Sequence, residues 1–430
     1  MRTSSEEPTS HSLIRKADRR VTRSPIDVAV THPKPLSLRS EGRTRVLRAL
    51  YDNRAASRTQ LQRYTGLSRA TVAALTADLI SAGIVKETSP ADDGLGARRT
   101  GRPAQLVSIH PSAAYALGVD IGHRQTRVML CDASGAPLWD KAVPQDVDHM
   151  PEQALEAACK MIQEALEEAL ASAVPGRQRV LGIGIGIASP VDTRSGTLSS
   201  GSIMAEWHDI QPALELARRT GLPAQLINDA NAGALAEHLY GAARNCTNVV
   251  YVRLSAGIGA GILSGGQLLV GAYGLAGELG HLEVAPGGRI CRCGNRGCLE
   301  TVASPVAIAQ LLSDSWGYTV TTDALFRLLE SGNDGARRAV SDAGDAVGWC
   351  VGTMVTLLDP ELIVVGGELA AAGELLFDPM RRSIHRYRMP SRHQDVRVVP
   401  GRLGDSAAVR GAAGIVLASA PESLSRSLLT

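Results

Sequence analysis

Aromatic side chains are scarce: they make up 3% of 430 residues, and only two are Phe. Any core must therefore be built from Ala, Val, Leu and Ile, which an apolar content of 44% supplies. Lysine is nearly missing as well, with five residues against 40 Arg, a bias of genome composition rather than of function. No window holds the roughly 18 uninterrupted apolar residues of a membrane span, so no transmembrane helix is expected. The N-terminus has no apolar stretch of the secretory kind, and the expected location is the cytoplasm.

What is present is unevenly distributed. The net charge is +2, but residues 1–110 carry 19 Lys and Arg against 10 Asp and Glu, a balance of +9. The remaining residues carry 26 against 33, a balance of −7. A basic head on an acidic body is the asymmetry of a nucleic-acid-binding segment joined to something else. Of seven Cys, three fall within eight residues (Cys291, Cys293, Cys298), a cluster that in a reducing compartment reads as metal binding before disulfides.

Residues 1–38 are rich in Ser, Thr, Pro and Arg without apolar periodicity and read as a disordered basic arm. Val46, Leu47 and Leu50 form the apolar face of a first helix. The stretch from Arg58 to Leu79 then has helix-turn-helix spacing, with apolar Leu61, Leu67, Val72 and Leu75. Gly66 falls at the turn, where a positive φ is needed, and Ser68 at the cap of the second helix. A strand from Ile84-Val85, a polar loop over 89–103 and a return strand Leu106–Ile109 complete a wing. Beyond Tyr115 the pattern becomes alternating strands and helices of an α/β fold: strands at 116–121, 127–131, 181–188, 224–227, 249–254, 261–263 and 362–365, with helices at 151–173 and near 335–358.

The sharpest local signal lies in residues 281–300, HLEVAPGGRICRCGNRGCLE. His281, Cys291, Cys293 and Cys298 offer one imidazole and three thiolates, the closed tetrahedral shell of structural Zn2+. Gly287, Gly288, Gly294 and Gly297 allow the turns that bring the ligands together.

LINDANAGALAE (226–237), GLAGELGH (274–281) and CRCGNRGCLE (291–300), in this order, resemble the ROK family of bacterial repressors and sugar kinases; the winged helix matches its repressor branch. The resemblance covers about residues 41–418. It implies a winged helix-turn-helix over 39–110, followed by a two-lobed, actin-like, sugar kinase-like module. The first lobe would span 111–228 plus 404–420, and the second, carrying the zinc loop, 229–403. At matching positions Asn228, Asp229, Glu278, His281 and Glu300 become sugar-binding residues, His281 being a zinc ligand too. In kinases of the family the residue matching Asp229 is the catalytic base. As a local alternative, Asp229 would simply cap the helix after it. The loops 186–192 and 201–208, with Trp207, are placed near the sugar.

Both phosphate loops depart from the kinase pattern. Asp120-Ile121-Gly122-His123-Arg124 replaces Asp-x-Gly-Gly-Thr, although Arg124 retains a charge that attracts phosphate. Ser255-Ala256-Gly257-Ile258-Gly259-Ala260-Gly261 loses a Thr hydroxyl at Ala256 and gains a Cβ at Ala260. Gly366-Gly367 persists after the last strand. These changes argue against ATP as a cofactor and against catalysis.

On the DNA side the expected contacts are Ser68, Arg69, Ala70 and Thr71 of the recognition helix and Arg98, Arg99 and Arg102 of the wing. Ala70 or Ala74 would touch a thymine methyl, and Arg102 would enter an A·T-rich minor groove. The expectation is a cytoplasmic, sugar-responsive repressor, a homodimer or homotetramer, binding operator DNA and a sugar or sugar phosphate, away from membranes. Two other readings remain: an active or bifunctional ATP-dependent sugar kinase, and a repressor controlled by a protein partner.

Overall fold

The computed structural model describes residues 38–88, 105–170, 179–192, 194–199, 203–390 and 395–428. The basic arm, the wing tip with Arg98, Arg99 and Arg102, and the last expected turn of the helix at 151–173 lie outside them.

The chain opens with a helical head: α1 (Leu38–Asn53), β1 (Ala55–Ser57), α2 (Arg58–Thr65), α3 (Arg69–Ser81), β2 (Val85–Thr88) and β3 (Leu106–Ile109). Each boundary has a local cause. Ser57 and Gln60 form a reciprocal capping box that starts α2. Gly66 ends it at φ 69°, and the Ser68 hydroxyl accepts from the Thr71 amide to start α3. Val46, Leu47, Leu50, Leu61, Val72, Leu75 and Leu79 are buried together. Strand β3 lies between β1 and β2, antiparallel to both. β1 has three residues, too few to reveal an alternation in sequence.

The body contains two five-stranded sheets of one topology. The first uses β4 (Tyr115–Ile121), β5 (Gln125–Asp132), β6 (Pro137–Pro144), β7 (Val180–Ile187) and β10 (Ala224–Asn228), in the order β10-β7-β4-β5-β6. A short ribbon, β8 (Val191–Asp192) and β9 (Thr197–Leu198), stands beside it. The second sheet uses β11 (Val249–Leu254), β12 (Ile258–Ser264), β13 (Gln267–Leu268), β14 (Leu362–Gly366) and β15 (Arg397–Pro400). Read from its parallel edge, its order is β15-β14-β11-β12-β13. In each, two parallel strands precede a hairpin and a third antiparallel strand. This is a two-lobed, actin-like arrangement. β6 is a largely exposed edge strand, and its charged and Pro residues hid it from the periodicity.

α4 (Pro151–Leu170) and α5 (Pro212–Thr220) cover the first sheet. α7 (Glu300–Ala303), α8 (Pro305–Trp316), α9 (Thr322–Glu330), α10 (Asp334–Leu358) and α11 (Glu374–Tyr387) build the outer layer of the second. Between the sheets lie α6 (Asp229–Tyr240) and α12 (Ala407–Leu417), followed by α13 (Ala420–Ser427). With few aromatics to fill space, these layers close on small residues. A Cβ on Gly411 would sit 1.8 Å from the Ala232 carbonyl oxygen, so only glycine lets α12 lie against α6.

The head is not a separate bead. Ala420 and Leu424 of α13 join its core, the Ser40 and Ser425 hydroxyls meet at 3.2 Å, and Arg48 reaches Glu422 at 2.5 Å. Among the described residues no helix is long and apolar enough to cross a membrane.

Candidate functional site

The cleft between the lobes is edged by the two hairpin turns (Gly122–Arg124 and Ser255–Gly257), the start of α6, and the Cys-rich loop before α7. Asn228, Asp229, Glu278, His281 and Glu300 all line one small cavity there, together with Ser189, Ile203 and Arg253.

Asn228, not Asp229, caps α6. Its Oδ1 accepts from the Asn231 amide at 3.0 Å, and its amide nitrogen donates to the Ser189 carbonyl at 3.3 Å. The alternative of a cap at Asp229 is thus not realised, and Asp229 stands in the first turn. There Oδ1 accepts from the Ala230 amide at 2.7 Å and Oδ2 meets Arg253 Nε at 3.0 Å. Arg253 had no signal beyond being a lone cation in the apolar strand β11. Its Nη2 lies 3.9 Å from Oδ2 of Asp120 on β4. Asp120 is 1% exposed, and neither carboxylate oxygen has a hydrogen-bond partner. Burial pushes its pKa up to about 6, against the pull of Arg253. The Ser189 hydroxyl is likewise buried and unpartnered.

Glu300 begins α7. Its Oε2 accepts from the Ile258 amide at 3.0 Å, and its Oε1 is 3.1 Å from Arg292 Nε. Burial, with Asp229 and Glu300 adding repulsion, raises the Glu278 pKa to about 7. Its Oε2 stands 3.7 Å from Nε2 of His281. The other ring nitrogen, Nδ1, is 3.5 Å from Cys291 Sγ, so His281 faces the carboxylate with one edge and the thiols with the other.

The potential ligand atoms of His281, Cys291, Cys293 and Cys298 lie within 4.8 Å of one another. Cys293 and Cys298 sulfurs are 3.7 Å apart, close to the roughly 3.8 Å that Zn–S bonds of about 2.3 Å impose at tetrahedral angles. Gly294 and Gly297, at φ 94° and 66°, make the turns that gather them. The cluster is compatible with a structural zinc ion.

The phosphate-loop residues divide. His123, Arg124 and Ala256 line a second cavity of about 410 Å³ that adjoins the first across the Asp229–Arg253 pair. Ala260 lines neither; it is buried in β12 with its amide on the Gly277 carbonyl, so its Cβ is packing rather than an obstruction to phosphate. Gly367, at φ 88°, ends β14 where a Cβ would lie 2.4 Å from the Leu254 carbonyl oxygen, a packing role. Arg124 is paired with Glu368 at 3.0 Å and with the Thr322 hydroxyl. His123 Nδ1 is 2.7 Å from Asp148, which Arg292 also approaches at 3.5 Å. Arg253, Arg292, Asp148 and Glu368 escaped sequence reasoning because their partners are remote in the chain. Trp207 does not line the pocket: it is fully buried in the first lobe, with Nε1 donating to the Val147 carbonyl.

On the head, Ser68, Arg69, Ala70 and Thr71 are exposed at the start of α3, and so are Ala73, Ala74 and Ala77. The Ser68 and Thr71 hydroxyls are 2.8 Å apart and engage one another. At the base of the wing Arg58 pairs with Glu87. The far end of α6 reaches this head: Arg54 donates to the Leu239 carbonyl, and Arg54 and Arg410 both lie over the Tyr240 ring.

Residues 116–419 match the model of the ROK family. The chain is 26% identical to the xylose repressor of Caldicellulosiruptor bescii over 385 residues, covering 86% of this chain and 94% of that protein. It is 34% identical to the glucokinase of Thermotoga maritima over 314 residues, covering 70% and 96% respectively. Among solved structures it resembles a ROK family transcriptional regulator described as a homologue of the E. coli MLC protein. The TM-score is 0.70 at 28% identity, over 90% of this chain and 98% of that one.

Proposed function

The chain belongs to the ROK family, and we propose that it is a sugar-responsive transcriptional repressor that reads operator DNA with its winged head and a sugar with the cleft. The observation that carries this reading is the junction of the two: α1 of the head rests on α13, and Arg54 in the turn after it rests on the end of α6, the helix whose first turn holds Asp229.

The roles follow from the chemistry of the groups. Asp229, Glu278 and Glu300 are hydroxyl acceptors, while the Asn228 amide and His281 Nε2 are donors. The Cys3His cluster holds Zn2+, which when bound fixes the loop that presents Glu278, His281 and Glu300. Ser68, Arg69, Ala70 and Thr71 enter the major groove, with Arg98, Arg99 and Arg102 of the wing beside them. A dimer or tetramer of such heads, in the cytoplasm, reads an inverted repeat.

Catalysis is disfavoured by the Arg253–Asp229 pair. In the kinases of the family the matching carboxylate is the base, but here one oxygen is engaged by a guanidinium and the other by a backbone amide. Ala256 and the paired Arg124 further weaken a phosphate-donor site. The likeness to glucokinase supports the bifunctional alternative, and one experiment separates the two. Operator binding and ATP turnover are measured on one preparation over one sugar panel. Sugar-dependent change in operator affinity without turnover supports a sensor; robust sugar-dependent turnover overturns it.

The sugar-side cavity is small, about 30 Å³, and adjoins the one of about 410 Å³ across the Arg253–Asp229 pair. A sugar seated against Asp229, Glu278 and Glu300 moves the lobes or that pair. Such a change alters the ends of α6, and with them the head. A sugar that prefers one arrangement tenfold shifts that equilibrium by about 1.4 kcal/mol per site.

A further inference from the structure

We propose that the effector is an uncharged sugar, bound without a phosphate group. The inference rests on the sugar-sensing reading above and narrows its ligand.

A phosphate monoester carries a charge of roughly −1.5 to −2 near neutral pH. Proteins hold it with cations free to donate or with the open amides of a helix N-terminus. Among the described residues the cleft presents neither. Arg253 is held by Asp229 at 3.0 Å, with Asp120 at 3.9 Å. Arg292 is held by Glu300 at 3.1 Å, with Asp148 at 3.5 Å. Arg124 is taken by Glu368, and His123 by Asp148. The start of α6 points into the cleft, but its amides are already served from within, that of Ala230 by the Asp229 carboxylate and that of Asn231 by the Asn228 side chain.

The surplus charge is of the wrong sign. Asp229, Glu278 and Glu300 line the small cavity, and Asp120 the adjoining one, so carboxylates outnumber the cations paired with them. If Arg253 swung onto a phosphate, Asp229 and Asp120, 9% and 1% exposed, would be left as unpaired buried charges beside a dianion. A neutral ring of hydroxyls has no such conflict. Each hydroxyl donates to a carboxylate, and the groups left without partners are two Asp120 oxygens and the Ser189 hydroxyl, which hydroxyl groups satisfy.

The test is titration calorimetry of the full chain with matched pairs: glucose and glucose 6-phosphate, mannose and mannose 6-phosphate, N-acetylglucosamine and its 6-phosphate, xylose and xylose 5-phosphate. For the sugar that binds, the free form is expected to bind at least tenfold more tightly than its phosphate. Glu278→Gln, which removes one repelling charge, should narrow that ratio whatever it does to absolute affinity. A smaller margin in the wild-type protein, or a phosphate that binds better, overturns the inference and leaves the sugar sensor standing. Failure of both members of every pair overturns the sensor reading and this inference together.

Discussion

The guanidinium of Arg54, in the turn after α1, lies over the ring of Tyr240, 5.5 Å from its centroid, and so joins the head to the last residue of the helix that begins at Asp229. Tyr240 is held by a second guanidinium as well: Arg410 lies 4.5 Å from the same centroid, and a Cβ on Gly135 would collide with the ring. A crevice of about 530 Å³ lies at this junction, lined by Tyr51, Arg54, Ile109 and Tyr240 among others.

Coupling between sugar and DNA should therefore depend on this contact. Arg54 is exposed, so Arg54→Ala should fold. Its affinity for sugar measured without DNA should stay within about twofold of wild type. The ratio of operator affinities without and with sugar should fall by about fivefold, the equivalent of roughly 1 kcal/mol of coupling. Fluorescence anisotropy on labelled operator, with and without sugar, measures the ratio, and titration calorimetry of the protein alone measures the sugar affinity. An unchanged ratio would remove this contact from the route.

Purified protein should contain one zinc per chain, read by elemental analysis. Cys293→Ser should lose it and bind sugar more weakly by about 10-fold or more, because the loop bearing Glu278 and His281 loosens. Wild-type protein with well under one zinc per chain would end the metal assignment.

The buried Asp120 sets a pH dependence. Its pKa is raised from 3.8 to about 6, so the native state holds the proton more tightly than the unfolded chain. The associated stability is complete below about 3.8 and is lost as the pH rises through 6. Asp120→Asn, which cannot ionise, should thus gain on wild type as the pH rises from about 4 to about 6.5, by up to about 3 kcal/mol over the full titration. Urea unfolding of both proteins across this range tests it; a constant gap between them would contradict it.

Arg69 is the exposed cation at the start of α3. Arg69→Ala should cost about 1–3 kcal/mol of operator affinity if it reads a base edge, and should lower the salt dependence if it contacts a phosphate. Footprinting should reveal two related half-sites about 34 Å apart, or a multiple of that, as a two-fold protein requires. A single asymmetric half-site would contradict the dimeric reading.

The features legible in the sequence were those whose cause lies within a few residues. Gly66 turns where a positive φ is required and Ser68 caps α3 because both effects act over one turn of chain. The Cys3His set lies within 18 residues, short enough for spacing alone to imply convergence. Alternating strands and helices foretold an α/β body, but the short or charged strands β1, β6, β8, β9, β13 and β15 and the helices α5, α7, α8, α9, α11, α12 and α13 were not foreseen. At the start of α6 the acceptor pair was recognised, with a cap at Asp229 only as the alternative; backbone direction at the end of β10 decides which side chain turns back to cap, and that makes Asn228 the cap. Trp207 near the motifs suggested a pocket residue, yet the fold of the first lobe required its bulk in an otherwise aromatic-poor core. The charge state of the cleft was tertiary throughout. Arg253 meets Asp229 because β11 and α6 pack together, Arg292 meets Asp148 across 144 residues, and Arg54 meets the end of α6 across 185. Periodicity and caps report on neighbours along the chain, whereas an ion pair depends on which strands and helices come to lie side by side; glycine and alanine let α6 and α12 approach closely enough to bring the head and the cleft into one connected structure.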